Sequence, residues 1–287
     1  MYFIELLIYG LIDGSMYAMM AVGLTLIYGL LRVLHVAHAG VFALGAYIGV
    51  QVTNSTDSFA LAVLIAAPVT GLFGMAIYRL LYQPLLDKSP IIALIASIGM
   101  FILMEDAFRL IFGPYGESYL NTPLRTTYDI FGVPLNAIQI AMVATTVVLL
   151  SGFAIFVNRT RFGVAWRATV SSPSMAASFG VDPIKVRYLN FFIGSALAGI
   201  AGVLVGVLNN LVEPTMGGVV SYKALAIIVL GGLGSIRGTL IASFGLGVIE
   251  AFGTIYLGHI LDRDAIAFLF LIIVLMIRPQ GLLGKRA

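Results

Sequence analysis

The sequence predicts an all-α fold: a polytopic bundle of transmembrane helices with about eight spans, and nine if both halves of one broken segment cross. Three observations carry this. Of the 287 residues, 60% are hydrophobic and only 10% are charged, against about 25% charged in soluble domains, and mean hydropathy is +1.05. A soluble domain so poor in charge would expose large apolar patches and aggregate, whereas a bilayer requires an apolar exterior. The apolar residues also fall into runs of roughly the twenty residues that a spanning helix needs. The 32 glycines and 10 prolines fit the same reading, because both residues are commoner in transmembrane than in soluble helices.

Taken in order, the clear spans are Leu6–Leu31, Phe59–Leu81, Ile91–Phe112, Leu135–Val157, Leu189–Leu208 and Ala265–Ile277. Two regions are less regular. Val41–Val52 is short and follows His35 and His38, and Ala224–Phe252 is split into two short halves by Gly231–Gly238. The stretch Met1–Glu5 has no basic residue and no small-residue cleavage pattern follows it, so the first helix is expected to be retained. Lys and Arg concentrate around Arg79 and Lys88, in the segment 158–188, and at Arg278, Lys285 and Arg286. The bias of basic residues to the inner side makes these segments and the C-terminus cytoplasmic. Thr53–Ser58, Gly113–Pro134 and the N-terminus are then outside. Rows of small residues (Gly10, Gly14, Ala18 and Ala21; Gly194, Ala198 and Gly202) mark faces where helices approach closely, either as static packing or as a moving seam.

Several chemistries are excluded. There is no cysteine, hence no disulfide and no thiolate metal site. Gly231–Gly238 is glycine-rich but has no lysine and so is no nucleotide cradle; His-Glu-x-x-His and Gly-x-Ser-x-Gly are missing too. No cofactor and no enzymatic activity are expected. The net charge of +3 without basic runs gives no nucleic-acid footprint.

Ionisable groups at membrane depth are costly and thus candidate functional residues. Asp13 in the first span and Glu250 in the broken segment either line or couple a pathway, or make local hydrogen bonds. Glu105, Asp106 and Arg109 stand at i, i+3, i+4 spacing and read as a self-neutralised set. His35 and His38 read as a satisfied interfacial pair, with a proton relay or a substrate contact as the sharper alternative. The segment Arg161–Arg187 is too long for a tight turn. Trp166–Val170 and Ser174–Phe179 suit two short helices, with Pro173 at the start of the second and Gly180 past its end. It would project a small knob (Met175, Ala176, Ala177, Phe179) framed by Arg and Lys, either as a plain linker or as a docking element.

Four stretches then resemble one family, the permease subunits of branched-chain amino acid ABC transporters. They are Gly14–Ala18 with Gly23–Gly29, Val36–His38 and Gly45–Tyr47; Arg167-Ala168 through Phe179–Asp182 into Phe192–Gly202; Glu213-Pro214 to Gly217 with Lys223-Ala224 and Val229–Ser235; and Arg278–Leu282. One departure is that the family's Asn-Phe-Ala-His-Gly-acid stretch reads His35-Val36-Ala37-His38-Ala39-Gly40 here. The resemblance implies one permease domain, 1–287, in the plasma membrane of a bacterium. Its partners would be membrane lipid, cytoplasmic ATPase subunits, a second permease, related or identical, and an extracytoplasmic binding protein. It further implies that 158–188 is the ATPase-coupling segment, carried by Arg161, Arg167, Ala168, Pro173, Ala176, Phe179, Gly180 and Asp182. Asp13, Ser15, Tyr17, His38, Glu213 and Glu250 are the candidates for the substrate path. The alternative is a self-sufficient secondary transporter driven by an ion gradient, a class in which broken helices also occur.

Overall fold

The structure, a computed structural model, describes residues 2–130 and 132–283; Lys285 and Arg286, assigned above to the cytoplasm, lie outside them. The helices are α1 (Tyr2–Leu31), α2 (His38–Thr56), α3 (Phe59–Ile77), α4 (Pro90–Phe112), α5 (Ala137–Arg159), α6 (Arg161–Ser171), α7 (Pro173–Ser178), α8 (Pro183–Asn209), α9 (Met216–Gly231), α10 (Ile236–Leu257) and α11 (Arg263–Ile277). Six of them, α1, α3, α4, α5, α8 and α10, are long and apolar enough to cross a membrane. The protein is thus a polytopic helical membrane protein.

Three features depart from the expected pattern. The fold is not purely helical: β1 (Thr127–Ile130) and β2 (Val133–Asn136) pair antiparallel, Thr127 opposite Asn136 and Ile130 opposite Val133. Short strands between long helices leave little periodic signal, and Leu135 falls in β2 rather than in the following helix. The broken segment is not two short halves, because α9 begins eight residues before Ala224 and α10 is 22 residues long. Finally, α2 extends to Thr56, since Gln51, Thr53 and Asn54 continue the helix with polar side chains.

Local chemistry fixes the helix ends. Thr160 caps α6 (Gly163 N, 3.2 Å), Ser235 caps α10 (Gly238 N, 3.2 Å) and Asp262 caps α11 (Ala265 N, 2.8 Å). Each side-chain oxygen satisfies an N–H that the helix leaves unpaired. The glycine-rich break therefore works as a turn between α9 and α10. At its far side, Leu282 N donates to Leu230 O at 2.7 Å and Leu283 N to Gly231 O at 3.2 Å, so the chain after α11 returns to satisfy the last carbonyls of α9. Gly281, at φ +81°, makes this return possible; a side chain there would strike the Gly232 backbone nitrogen at 2.5 Å.

The centre is formed by α1 and α8, the two long helices that are mostly buried. The row of small residues on α8 is its packing surface. A methyl group at Gly45 of α2 would lie 2.3 Å from the Gly199 carbonyl oxygen, and one at Gly202 would lie 2.0 Å from that of Phe42. Gly10 and Gly14 of α1 meet Val248 and Phe244 of α10 with similar closeness. These backbones touch, which is where helices in lipid gain their dispersion energy. By contrast α4 and α5 expose most of their apolar side chains, as helices bathed in lipid do. Arg109 bonds both Glu105 and Asp106, the latter at 3.0 Å, which neutralises that set on its own helix.

Candidate functional site

One buried constellation joins four helices. Glu250 of α10 is fully buried, and its Oε2 accepts from the Tyr17 hydroxyl of α1 and from Nε of Arg263 at the start of α11, both at 2.6 Å. Lys223 Nζ of α9 lies 3.1 Å from Glu250 Oε1, 3.0 Å from Asp264 Oδ1 and 3.1 Å from the Tyr17 hydroxyl. The contact to Oε1 is a charge pair whose angle falls outside a hydrogen bond, so Oε1 accepts none among the described residues. A second nitrogen of Arg263 donates to Asp13 Oδ2 at 2.5 Å, and Tyr222 donates to Asp264. Three carboxylates and two cations thus interlock. Burial of a charge at this depth is tolerable only with such pairing. Arg263 and Asp264 are 41% and 44% exposed and Asp13 25%, so the network is buried at Glu250 and open at its rim.

The second buried polar group is the histidine pair, and here the structure corrects the expectation. His35 and His38 are almost fully buried inside the bundle, with ring centroids 5.7 Å apart. His35 Nδ1 shares a 2.7 Å hydrogen bond with the Tyr82 hydroxyl. The other three ring nitrogens have no partner among the described residues, so the pair is not satisfied as expected. Tyr78 and Tyr82 reach this pocket from a π-helical turn, Tyr78–Tyr82, that follows α3, and Phe191 closes it. Widened turns of this kind are frequent at functional sites.

The third element is the helix pair α6–α7. It starts five residues before Trp166 and ends at Ser178, with Pro173 at the first position of α7 and Gly180 at φ +83°, as the sequence indicates. Its seat is specific. Trp166 Nε1 donates to Asn190 Oδ1 of α8 at 3.0 Å, and Asn190 Nδ2 donates to the Leu26 carbonyl of α1 at 2.8 Å. This buried relay ties α6 to both central helices. Gly163 lies against the Val157 carbonyl, to which Arg167 donates at 2.5 Å. On the outward side, Phe179 is 85% exposed and Met175 63%.

The candidate residues therefore divide. Of the path set, Asp13, Tyr17 and Glu250 come together. Ser15 does not join them: its hydroxyl bonds Leu11 O on its own helix at 2.8 Å. His38 belongs to the separate pocket, and Glu213 is exposed beside the contact between Glu117 and Val212 at the hairpin end. Of the coupling set, Arg161, Pro173, Phe179 and Gly180 face outward and Ala168 is half-buried. Ala176 is buried beneath the knob rather than on it, Arg167 holds α5, and Asp182 caps α8 through Ile184 N at 2.9 Å. Lys223, Arg263, Asp264, Asn190 and Tyr222 were not among the candidates; Lys223 appeared only in the family-like stretch Lys223-Ala224.

Comparison with known proteins gives a consistent result. The family model described as the branched-chain amino acid transport system / permease component matches residues 6–277. The high-affinity branched-chain amino acid transport system permease protein BraD of Pseudomonas aeruginosa is 34% identical, covering 99% of this chain and 96% of that one. Its counterpart LivH of Escherichia coli is 31% identical over the same shares. Among solved structures, PsaBC from Streptococcus pneumoniae in complex with Fab aligns over 95% of this chain and 91% of that one, with a TM-score of 0.52 at 14% identity, a likeness of fold. The family model over 6–277 and relatives 31% and 34% identical over nearly the full length agree: this chain belongs to the family of branched-chain amino acid transport permease components.

Proposed function

We propose that the chain is the membrane-embedded subunit of a binding-protein-dependent ABC importer for branched-chain or closely related amino acids, in the plasma membrane of a bacterium. The observation that carries this reading is the α6–α7 pair. Met175 on α7 and Phe179 at its end stand exposed, next to an α6 that a buried relay anchors to the centre of the bundle. That is what a device for receiving force from another protein requires, and a transporter driven by an ion gradient has no need of it. The energy source is a separate ATPase, in keeping with a Gly231–Gly238 break that serves as a helix cap. Residues 158–188 are the coupling segment.

Basic residues set the orientation. Arg79, Lys88, Arg159, Arg161, Lys185 and Arg187 lie at the end that carries α6 and α7, which is therefore cytoplasmic. With the N-terminus outside, α1, α2, α3, α4, α5, α8, α9, α10 and α11 make nine passes, α2, α9 and α11 being short, and the C-terminus is inside. The hairpin end faces the binding protein. A second permease, related or identical, completes the path, and Asp13, Tyr17 and Glu250 belong to its wall. ATPase closure then moves α6, and the Trp166–Asn190–Leu26 relay passes that movement to α8 and α1, rocking the helices between two accesses.

A pull-down from detergent with the cognate ATPase tests this. Phe179→Asp removes an exposed aromatic anchor, for which a loss near 30-fold, about 2 kcal/mol, is expected, while membrane insertion is unchanged. Undiminished recovery of the ATPase would overturn the coupling role. Accumulation of substrate by the chain alone in liposomes under an ion gradient would overturn the importer reading.

A further inference from the structure

A concave apolar groove of about 380 Å³ runs between α5 and α8 on the lipid-facing side. Gly152, Phe153 and Phe156 form one wall and Leu189, Ile193 and Ile200 the other. Along α8, from Leu189 to Ile200, it is about 16 Å long at the helical rise, close to the ~15 Å hydrocarbon depth of one leaflet. Nothing lies within 4 Å of the position a Cβ would take at Gly152, so the floor of the groove is open.

The groove has a charged end. Helical periodicity puts Arg159 one turn past Phe156 on α5 and Lys185 one turn before Leu189 on α8, and Arg161 opens α6 beside them. All three are exposed. The facing acid is Asp182, 3.7 Å from Lys185, with its other oxygen engaged at the start of α8. Three cations thus stand against one acid at the cytoplasmic end of a slot one leaflet deep. Contacts between helices in lipid are usually lined with small residues, whereas bulky apolar side chains dominate these walls.

We propose that this groove binds an anionic phospholipid of the cytoplasmic leaflet, one acyl chain in the slot and the phosphate among Arg159, Arg161 and Lys185. The assignment of leaflet rests on the orientation given above. The site also touches the coupling apparatus: Phe156 stacks on Phe162 of α6 with centroids 5.3 Å apart. A chain in the slot buttresses Phe156 and so stiffens the seat of α6, which makes ATP-driven movement sensitive to the acidic lipid content of the membrane.

Native mass spectrometry of the full chain in detergent, titrated with phosphatidylglycerol or with phosphatidylcholine of identical acyl chains, tests the proposal. Phosphatidylglycerol adducts are expected to form at about tenfold lower lipid concentration, as a few cations near a headgroup provide. The double variant R159Q/K185Q should bring the two lipids together. Gly152→Phe should remove both adducts, and Ala196→Leu, from the opposite wall, should do the same if the first variant fails to fold. Equal adducts of the two lipids, or phosphatidylglycerol adducts that survive both groove-filling changes, would overturn it. So would a chain dimer that disappears on Gly152→Phe, since a second copy would then occupy the groove. The readout needs no ATPase, so its failure is separate from failure of the pull-down.

Discussion

The two buried polar clusters of this bundle obey different rules. Around Glu250, five ionised groups from four helices each find an opposite charge, and every one of those helices is held by the arrangement. Around His35 and His38, three of four ring nitrogens have no partner among the described residues. A neutral imidazole can stay under-bonded at a cost of a few kcal/mol; a carboxylate in the same setting cannot. The first cluster is therefore a clamp that must be complete, and the second a polar pocket with bonding capacity in reserve.

That contrast can be broken most severely at Glu250. Glu250→Ala removes the fully buried carboxylate and leaves Lys223 and Arg263 only the rim carboxylates Asp264 and Asp13. Thermal unfolding in detergent should show a loss of about 3 kcal/mol, the low end of the penalty for breaking a buried ion pair, because each cation keeps one partner. Removing charge from both sides, as Lys223→Met with Glu250→Leu, should recover much of that loss; a double variant worse than the single one would mean that the charges themselves, and not their pairing, hold the bundle. A smaller effect is expected at His35→Phe, about 1–3 kcal/mol, because the Tyr82 hydroxyl is left buried without its partner. His38→Phe should be the mildest, within about 1.5 kcal/mol as a change of similar shape, since His38 has no hydrogen bond to lose. If it also abolishes transport while the fold stands, the reserve capacity of the pocket is functional; retained transport would make it a packing site.

The sequence made one cluster half visible. Asp13 and Glu250 were found because their spans were recognised, and charge within a recognised span is conspicuous; Tyr17 came with the family-like stretch Gly14–Ala18. Their partners were hidden by boundaries. Lys223 precedes Ala224, where the apolar run begins, and Arg263 and Asp264 precede Ala265, where the next begins, so all three read as loop. They look like loop residues because their charges are neutralised by distant helices, which no local window can register. The α6–α7 pair was legible because it follows ordinary rules for helices in water, a cap, a first-turn proline and a glycine at positive φ. The π-helical turn that brings Tyr82 to His35 has no pattern of its own; Tyr78 and Tyr82 both pack there against Phe191, a contact that no local window registers.

The return of the chain after α11 bears on how the molecule is made. The carbonyls of Leu230 and Gly231 receive their donors from Leu282 and Leu283, residues that leave the ribosome only after every helix has been synthesised. Until then the C-terminal end of α9 is left with two acceptors that lack these donors, and the turn into α10 has nothing to rest on. Insertion of the helices and completion of this end are thus separate events in time, with the second acting as a seal that only a chain translated past Leu283 can apply.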